Sequence, residues 1–555
     1  MFAEIWNYLC WFLRIIFTDA GLTEGYLNGS LGAVTLILGM MSARSVFDVD
    51  TRLYMDITLN VGMVIGMALS GRYTDRISSK WMIFLGTSTT VFWSILCALI
   101  SLASVKNDAQ LRTLKVLFAV SRSGFGFGLG VEFVGTFVMN SDKAFHLIQG
   151  REWRALFYSD TLQYHLGYLL SNLVPFVLFL IYGEGHLQGV LTACLTIGAI
   201  LPLHTWSCHI VYRCTKANET GAQRRMRIAR TRIPPALFNE FYQSTLITIA
   251  MAWAFYEMSA TGLGLYVPTE VLILNGNQCP NLWRMFGWTS LICAFNVLGS
   301  ILGMYFTAKR VWGPKKTLII GTAIQGVFGV LIVATVGTLL VSPLSPVLMV
   351  FFAFFHLAQE FGAGSNMALL AVGTCAPSVR GRYLGYAAAA SKLGAIAGDI
   401  LILLTINYIE AKDEGDSGAT YEEALTYPFG IATLLLVLAT TLAVTGLPKV
   451  EVDFNLVNMQ ALNRFLQNWG YRTTDLDRFE LPPPSPTTTG SANRPARAFA
   501  SASNRGVASA SASGRGGFNS LPRMPAAVPR RRVDRNSETA SGPAQPAPWG
   551  QVNRG

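Results

Sequence analysis

The chain has 555 residues, 51% hydrophobic and only 14% charged, with mean hydropathy +0.39 and formal net charge +11. Soluble domains carry about 25% charged residues, so this composition excludes an ordinary soluble protein and describes one embedded in a membrane. In such a chain the basic excess belongs first to cytoplasmic loops, and nucleic acid is not an expected partner.

The first residues, MFAEIWNYLCWFLRIIF, place Glu4 where a leader would be basic and offer no small-residue cleavage site. The first membrane helix is therefore expected to act as its own signal. Apolar runs of spanning length then recur twelve times, near 14–41, 53–70, 81–104, 114–140, 155–182, 188–212, 238–274, 285–308, 316–341, 346–373, 380–409 and 424–447. The first and seventh are long and interrupted by Gly and polar residues, which predicts kinks. The eight cysteines fall mostly inside these runs without metal-ligand spacing and read as small buried hydrophobes. The expected class is an all-α integral membrane protein with twelve transmembrane helices in two six-helix bundles and a disordered C-terminal tail.

Residues 213–235 form a polar loop with seven basic residues against one acid, Glu219, and divide the helices six and six. The expected organisation is a bundle over 1–212, this cytoplasmic loop, a second bundle over 236–447, and a cytoplasmic tail over 448–555. To about residue 470 the tail offers a short amphipathic helix, LVNMQALNRFLQNW. Beyond Leu481 it is rich in Pro, Ser, Ala, Gly and Arg, a composition that cannot bury a core. Its Arg530-Arg531-Arg532 cluster suits anionic lipid or a regulator, against the plainer reading of a solvated tail. Basic residues crowd the even-to-odd connections, including Arg72, Arg76 and Lys80, so both termini are expected in the cytoplasm. The expected location is the plasma membrane. Short basic turns after the second and eighth runs, GRYTDRISSK and AKRVWGPKK, suggest two related bundles around a central site.

One lysine stands out. Lys392 lies in GRYLGYAAAASKLGAIAGD, and counted from Gly381 at ~1.5 Å per residue it is ~16 Å into its helix, near mid-bilayer. A cation there costs at least ~2.5 kcal/mol, so it is expected either to hold an anion or to pair with a carboxylate. Asp399, seven residues on, shares a similar face and serves as a ligand group or as a counter-ion. Other ionisable or polar positions at membrane depth are Arg122 and Glu132 in the fourth run, Gln163 in the fifth, Trp253 and Glu257 (i,i+4, one face) in the seventh, and Glu360 and Asn366 in the tenth. Arg122 with Glu132 also reads as a structural link, Trp253 as packing, and Glu360 as a cap or partner for a basic residue. The glycines at 124, 126, 128 and 130 read as a close-packing face rather than a phosphate cradle.

Several stretches carry a family resemblance. GRYTDRISSK is similar to the Gly-…-Asp-Arg-…-basic turn of the major facilitator superfamily, with Asp75 and Arg76 in the places that latch the cytoplasmic side. Thr23-Glu24-Gly25-Tyr26, the run Arg122 to Glu132, and above all Glu360-Phe-Gly-Ala-Gly-Ser-Asn366 with Ala-Ala-Ser-Lys392-Leu-Gly resemble the fungal glycerophosphoinositol permease and phosphate/proton symporter group. The likeness spans residues 14–447. The group favours Gly-Pro-Gly at 362–364 and Gly before the lysine, where this chain has Ala363 and Ser391.

The resemblance implies the major facilitator fold and that Trp253, Glu257, Gln163 and Lys392 converge on a phosphate group. It also implies that Glu132 handles protons. Arg122 and Asn366 join the candidate substrate contacts, and Glu257 serves substrate and proton alike. The implied function is proton-coupled symport, by alternating access, of a glycerophosphodiester such as glycerophosphoinositol, or of inorganic phosphate. A carboxyl that carries its proton can donate to phosphate, and one that has lost it repels phosphate. Alternatives are sugar or polyol transport, which needs no Lys392, and a transporter-like nutrient sensor signalling through its tail. No nucleophile triad, metal set or nucleotide motif points to an enzyme, and no cofactor is expected. The partners are an anionic phosphate-containing solute, protons and the lipid bilayer.

Overall fold

A computed structural model describes residues 20–41, 49–102, 108–144, 161–215, 233–274, 282–307, 312–339, 345–413, 420–448 and 454–470. All belong to one compact unit, Met1–Pro483. Most of the expected basic loop and the tail beyond Gly470, with its arginine cluster, lie outside the described residues.

The described residues form helices joined by short turns, with no strand among them. In chain order the long helices are α1 (Ala20–Met41), α2 (Val49–Thr74), α3 (Ser79–Ser101), α4 (Asp108–Ala144), α5 (Thr161–Tyr182), α6 (Leu187–Thr215), α7 (Pro235–Leu274), α8 (Leu282–Thr307) and α9 (Gly313–Leu339). Then α10 runs Ser345–Gln359, passes through a π-helical turn at Glu360–Gly364 and resumes as Ser365–Gly373. It is followed by α11 (Arg380–Asp413), α12 (Thr420–Gly446) and the short α13 (Phe454–Asn468). Helices satisfy their own backbone polar groups, which is what lets an unpaired segment enter hydrocarbon. Ten of the helices are long and apolar enough to span a membrane. Glu24 lies on α1 and Glu257 on α7. Large apolar side chains such as Leu85, Phe92 and Leu99 on α3 face outward, as a lipid-facing surface requires.

The packing repeats itself. In the first six helices α1 packs on α5 and α6, α2 on α4, and α3 on α4 and α6. The same pairs recur six helices later: α7 on α11 and α12, α8 on α10, and α9 on α10 and α12. The two bundles meet along two seams, α2 with α11 and α5 with α8, which the same repeat interchanges. This is the two-bundle architecture expected from the sequence.

Glycine makes the closest approaches possible. A Cβ on Gly62 would sit 2.1 Å from the Ser123 carbonyl of α4, and one on Gly130 would sit 2.5 Å from the Met63 carbonyl of α2. The helix-4 glycines therefore serve packing, as their setting in a membrane run suggested. The expected kinks in the first and seventh helices do not break them. The interruption falls instead in α10, where the Ser365 hydroxyl donates to the Glu360 carbonyl at 2.5 Å. Asn366 Nδ2 donates to the Gly362 carbonyl within the same π turn at 2.7 Å.

The amphipathic segment after the last long helix forms α13, which docks on the protein. Asn458 Nδ2 donates to the Gly373 carbonyl at 2.8 Å, Arg380 donates to Asn455, and the Phe465 and Phe241 rings lie 4.9 Å apart.

Candidate functional site

Between the bundles lies a cavity of about 200 Å³. That is room for on the order of a dozen waters, and so for a small polar solute. Helices of both bundles line it. From the first bundle come Glu24 and Asn28 of α1, Asp56 of α2, and Tyr164, His165, Tyr168 and Asn172 of α5. From the second come Trp253, Tyr256 and Glu257 of α7, Asn296 of α8, His356 and Glu360 of α10, and Lys392 of α11.

Lys392 is buried, and its ammonium reaches both oxygens of Glu257, at 3.3 Å and 3.4 Å. The Thr261 hydroxyl donates to the same carboxylate at 3.2 Å. Small residues make the meeting possible: a Cβ on Gly394 would lie 2.2 Å from the Ala254 carbonyl, so α11 can press against α7 only without one. Trp253, one turn before Glu257, lines the cavity and leans on Phe133 of α4 at 6.4 Å between rings. Glu24 of α1 interacts electrostatically with Lys392 and Glu257.

A second polar cluster faces this one. His165 Nε2 of α5 lies 2.8 Å from Glu360 Oε2 of α10, both almost fully buried. The Tyr256 hydroxyl donates to Glu360 Oε1 at 3.4 Å. The π turn presents the acid, and a Cβ on Gly364 would fall 1.9 Å from its Oε2. π turns of this kind recur at functional sites. No local sequence motif marks His165. The π turn falls on the EFGAG stretch that follows an apolar helix.

The remaining expected site residues are placed elsewhere. Gln163 is fully buried but outside the cavity lining, because two residues from His165 is ~200° around the helix. Asn366 accepts from Thr307 of α8 at 2.8 Å and buttresses the π turn. Arg122 lines a separate small cavity with Leu27, Ser94 and Phe118 and stacks over Phe125 at 5.3 Å. Glu132 also lies outside the cavity lining; it accepts from Thr87 of α3 at 2.8 Å and lies 3.9 Å from His209 of α6. Of the two latch residues, Asp75 is buried and accepts the backbone N–H groups of Gly381 and Arg382, at 3.1 Å and 2.9 Å. It thus caps the first turn of α11, while Arg76 is exposed.

A polar central cavity between two repeated bundles, with one ammonium among the carboxyls of its described lining, has the form of a solute site. Comparison with known proteins agrees. Residues 217–451 match the model of the family described as "Sugar (and other) transporter". The Candida albicans glycerophosphodiester transporter GIT2 is 30% identical over 387 residues, 69% of this chain and 69% of its own length. This chain belongs to that transporter family of the major facilitator superfamily. The Candida albicans major glycerophosphoinositol permease GIT3 is 28% identical over 462 residues, covering 82% of each chain. Among solved structures, a D-xylose–proton symporter superposes with a TM-score of 0.60 at 15% identity, over 80% of this chain and 99% of that one. The chain is thus a multi-pass membrane transporter and not an enzyme.

Proposed function

We propose that this transporter moves a glycerophosphodiester together with protons by alternating access, with Lys392 as the group that receives the phosphate. The observation that carries this reading is the Lys392–Glu257 pair in the inter-bundle cavity. A phosphodiester carries one negative charge and several strong acceptors, and a compact ammonium suits it. Glu257 holds Lys392 when no anion is present. An arriving phosphate takes its place, and Glu257 then fits only in its protonated form, as a donor.

The charge balance supports proton coupling. Among the described residues the cavity is lined by four carboxyls, Glu24, Asp56, Glu257 and Glu360, against one lysine. An anion entering such a space is repelled unless carboxyls bind protons with it. Similarity to glycerophosphodiester permeases supports the substrate class. Inorganic phosphate fits Lys392 equally well but makes no use of Asn296, whose amide oxygen has no hydrogen-bond partner among the described residues. Sugar transport, the alternative in the same superfamily, has no need of a buried ammonium. We place the Asp75 end in the cytoplasm, following the distribution of Lys and Arg, and the protein in the plasma membrane.

The deciding experiment is uptake into proteoliposomes of glycerophosphoinositol, glycerophosphocholine, inorganic phosphate and a hexose, with and without an inward proton gradient. Gradient-dependent accumulation of the phosphodiesters, lost in Lys392→Ala, supports the reading. Accumulation of the hexose alone overturns it.

A further inference from the structure

The α2–α11 seam carries an acid from each bundle at matching depth. The helices run antiparallel, and their register is fixed near one end. Asp75 caps Gly381 and Arg382, and a Cβ on Gly71 would lie 2.8 Å from the Gly385 Cα. Fifteen residues back along α2 from Gly71 is Asp56, and fourteen residues on along α11 from Gly385 is Asp399. At ~1.5 Å per residue both stand about 21–23 Å from the glycine contact, so the register sets them opposite each other.

Their surroundings agree with that register. Asp56 is 3% exposed and Asp399 fully buried. The Asp399 and Asp56 carboxyls interact electrostatically. Among the described residues, no amide, hydroxyl or ammonium donor reaches either Asp399 oxygen. Asn60 donates to Asp56 Oδ2 at 2.9 Å, which leaves the other oxygen for the partner acid. Two carboxylates buried side by side cannot both stay ionised cheaply, and a hydrogen bond between them requires a proton.

We propose that Asp56 and Asp399 form a proton-binding site across the two bundles, sharing one proton that ties α2 to α11 at the end away from Asp75. Taking up one proton makes a carboxyl–carboxylate hydrogen bond. Releasing it leaves two facing carboxylates whose repulsion favours parting of the seam. The Asp75 cap at the other end involves a backbone N–H pair and does not need that proton. The seam therefore has one fixed clamp and one proton-dependent clamp.

The other charged groups near the pair connect it to the solute. Lys392, seven residues before Asp399 on α11, interacts with both acids, and Glu257 of α7 interacts with Asp399. Glu24 of α1 interacts with Lys392, and Arg122 of α4 interacts with Asp56. An anion on Lys392 removes the positive charge that offsets Asp56 and Asp399, so anion and proton favour each other's binding, and linkage makes this reciprocal. This last step rests on the function proposed above; the shared proton does not.

The test begins without solute. Difference infrared spectra of the purified full-length protein in nanodiscs, titrated over pH, should contain a protonated-carboxyl band that is lost in both Asp56→Asn and Asp399→Asn. An unchanged band in either variant overturns the proposal. Asp399→Glu keeps the pair and should keep a shifted band, which covers an Asn variant that fails to fold. In proteoliposomes, the pH profile of glycerophosphodiester uptake should flatten in Asp399→Asn; a wild-type profile there overturns the coupling role. If wild-type protein takes up no phosphodiester, the function proposed above fails, while the infrared result still decides the proton site.

Discussion

Glu257 grips Lys392 through both carboxylate oxygens, at 3.3 Å and 3.4 Å, so the cation proposed above to receive the phosphate already has a partner. Substrate must compete with an internal carboxylate. Hydrogen bonds to charged groups contribute about 1.5–3 kcal/mol, so Lys392→Ala should weaken phosphodiester binding by ~10-fold or more. Lys392→Arg keeps the charge but brings a planar fork to a site shaped for a compact ammonium, and should recover only part of the binding. Glu257→Gln frees Lys392 and should retain binding while losing proton-driven accumulation. Radiolabelled binding beside uptake, with and without a pH gradient, separates the three. Accumulation by Glu257→Gln that still follows the gradient would count against the exchange of partners.

Asp75 acts as a helix cap supplied by the other bundle. Removing a capping side chain costs about 0.5–2 kcal/mol, equivalent to a ~2–30-fold change in the opening of that end. Asp75→Ala should speed amide hydrogen exchange at Gly381 and Arg382 within this range. Asp75→Asn, which retains one acceptor oxygen, should fall between. Unchanged exchange at both amides would remove the capping role.

The α2–α11 seam tolerates no side chain at its tightest point. A Cβ on Gly385 would lie 2.5 Å from the Gly71 Cα and 2.8 Å from the Met67 carbonyl, both backbone atoms that cannot step aside. Gly385→Ala should lower the thermal midpoint, with an overpacking cost of about 1–3 kcal/mol, and should impair transport. Gly430 of α12 is the control, since a Cβ there meets nothing within 4 Å. Gly430→Ala should be neutral or stabilising by about 0.4–1 kcal/mol. Equal effects at the two positions would refute the packing argument.

What could be read from the sequence follows from what one helix reveals about itself. Lys392 and Glu257 stood out because an ionisable group in an apolar run is costly, and the i,i+4 spacing placed Trp253 beside Glu257. The twelve apolar runs and the basic turns were likewise properties of single segments. Which face of a helix meets the cavity is a property of packing. That is why Gln163 was favoured although His165, on the other side of α5, faces Glu360. Asp56 sits one turn inside the second apolar run, where no local pattern marks it; only the α2–α11 register brings it to Asp399. The π turn in α10 was hinted at by Gly362 and Gly364, but its consequence, the swing of Glu360 into the cavity, depends on the hydrogen bonds of Ser365 and Asn366.

The His165–Glu360 pair joins α5 of one bundle to α10 of the other, beside the α5–α8 seam, and its energetics can be tested on their own. Removing one partner of a buried ion pair leaves the other without compensation, whereas removing both leaves no stranded charge. His165→Leu should therefore destabilise the protein more than the double variant His165→Leu/Glu360→Leu, because the single change strands a buried carboxylate with only the long Tyr256 contact at 3.4 Å. A double-mutant cycle on the midpoint of unfolding in detergent should return a coupling of about 0.5–3 kcal/mol, as for residues in direct contact. The double variant should nevertheless transport poorly, since it removes two polar groups from the cavity wall. Stability is then expected to recover without activity. A double variant as unstable as the sum of its singles would mean that the two side chains act independently, and that the tie between α5 and α10 lies in the surrounding packing.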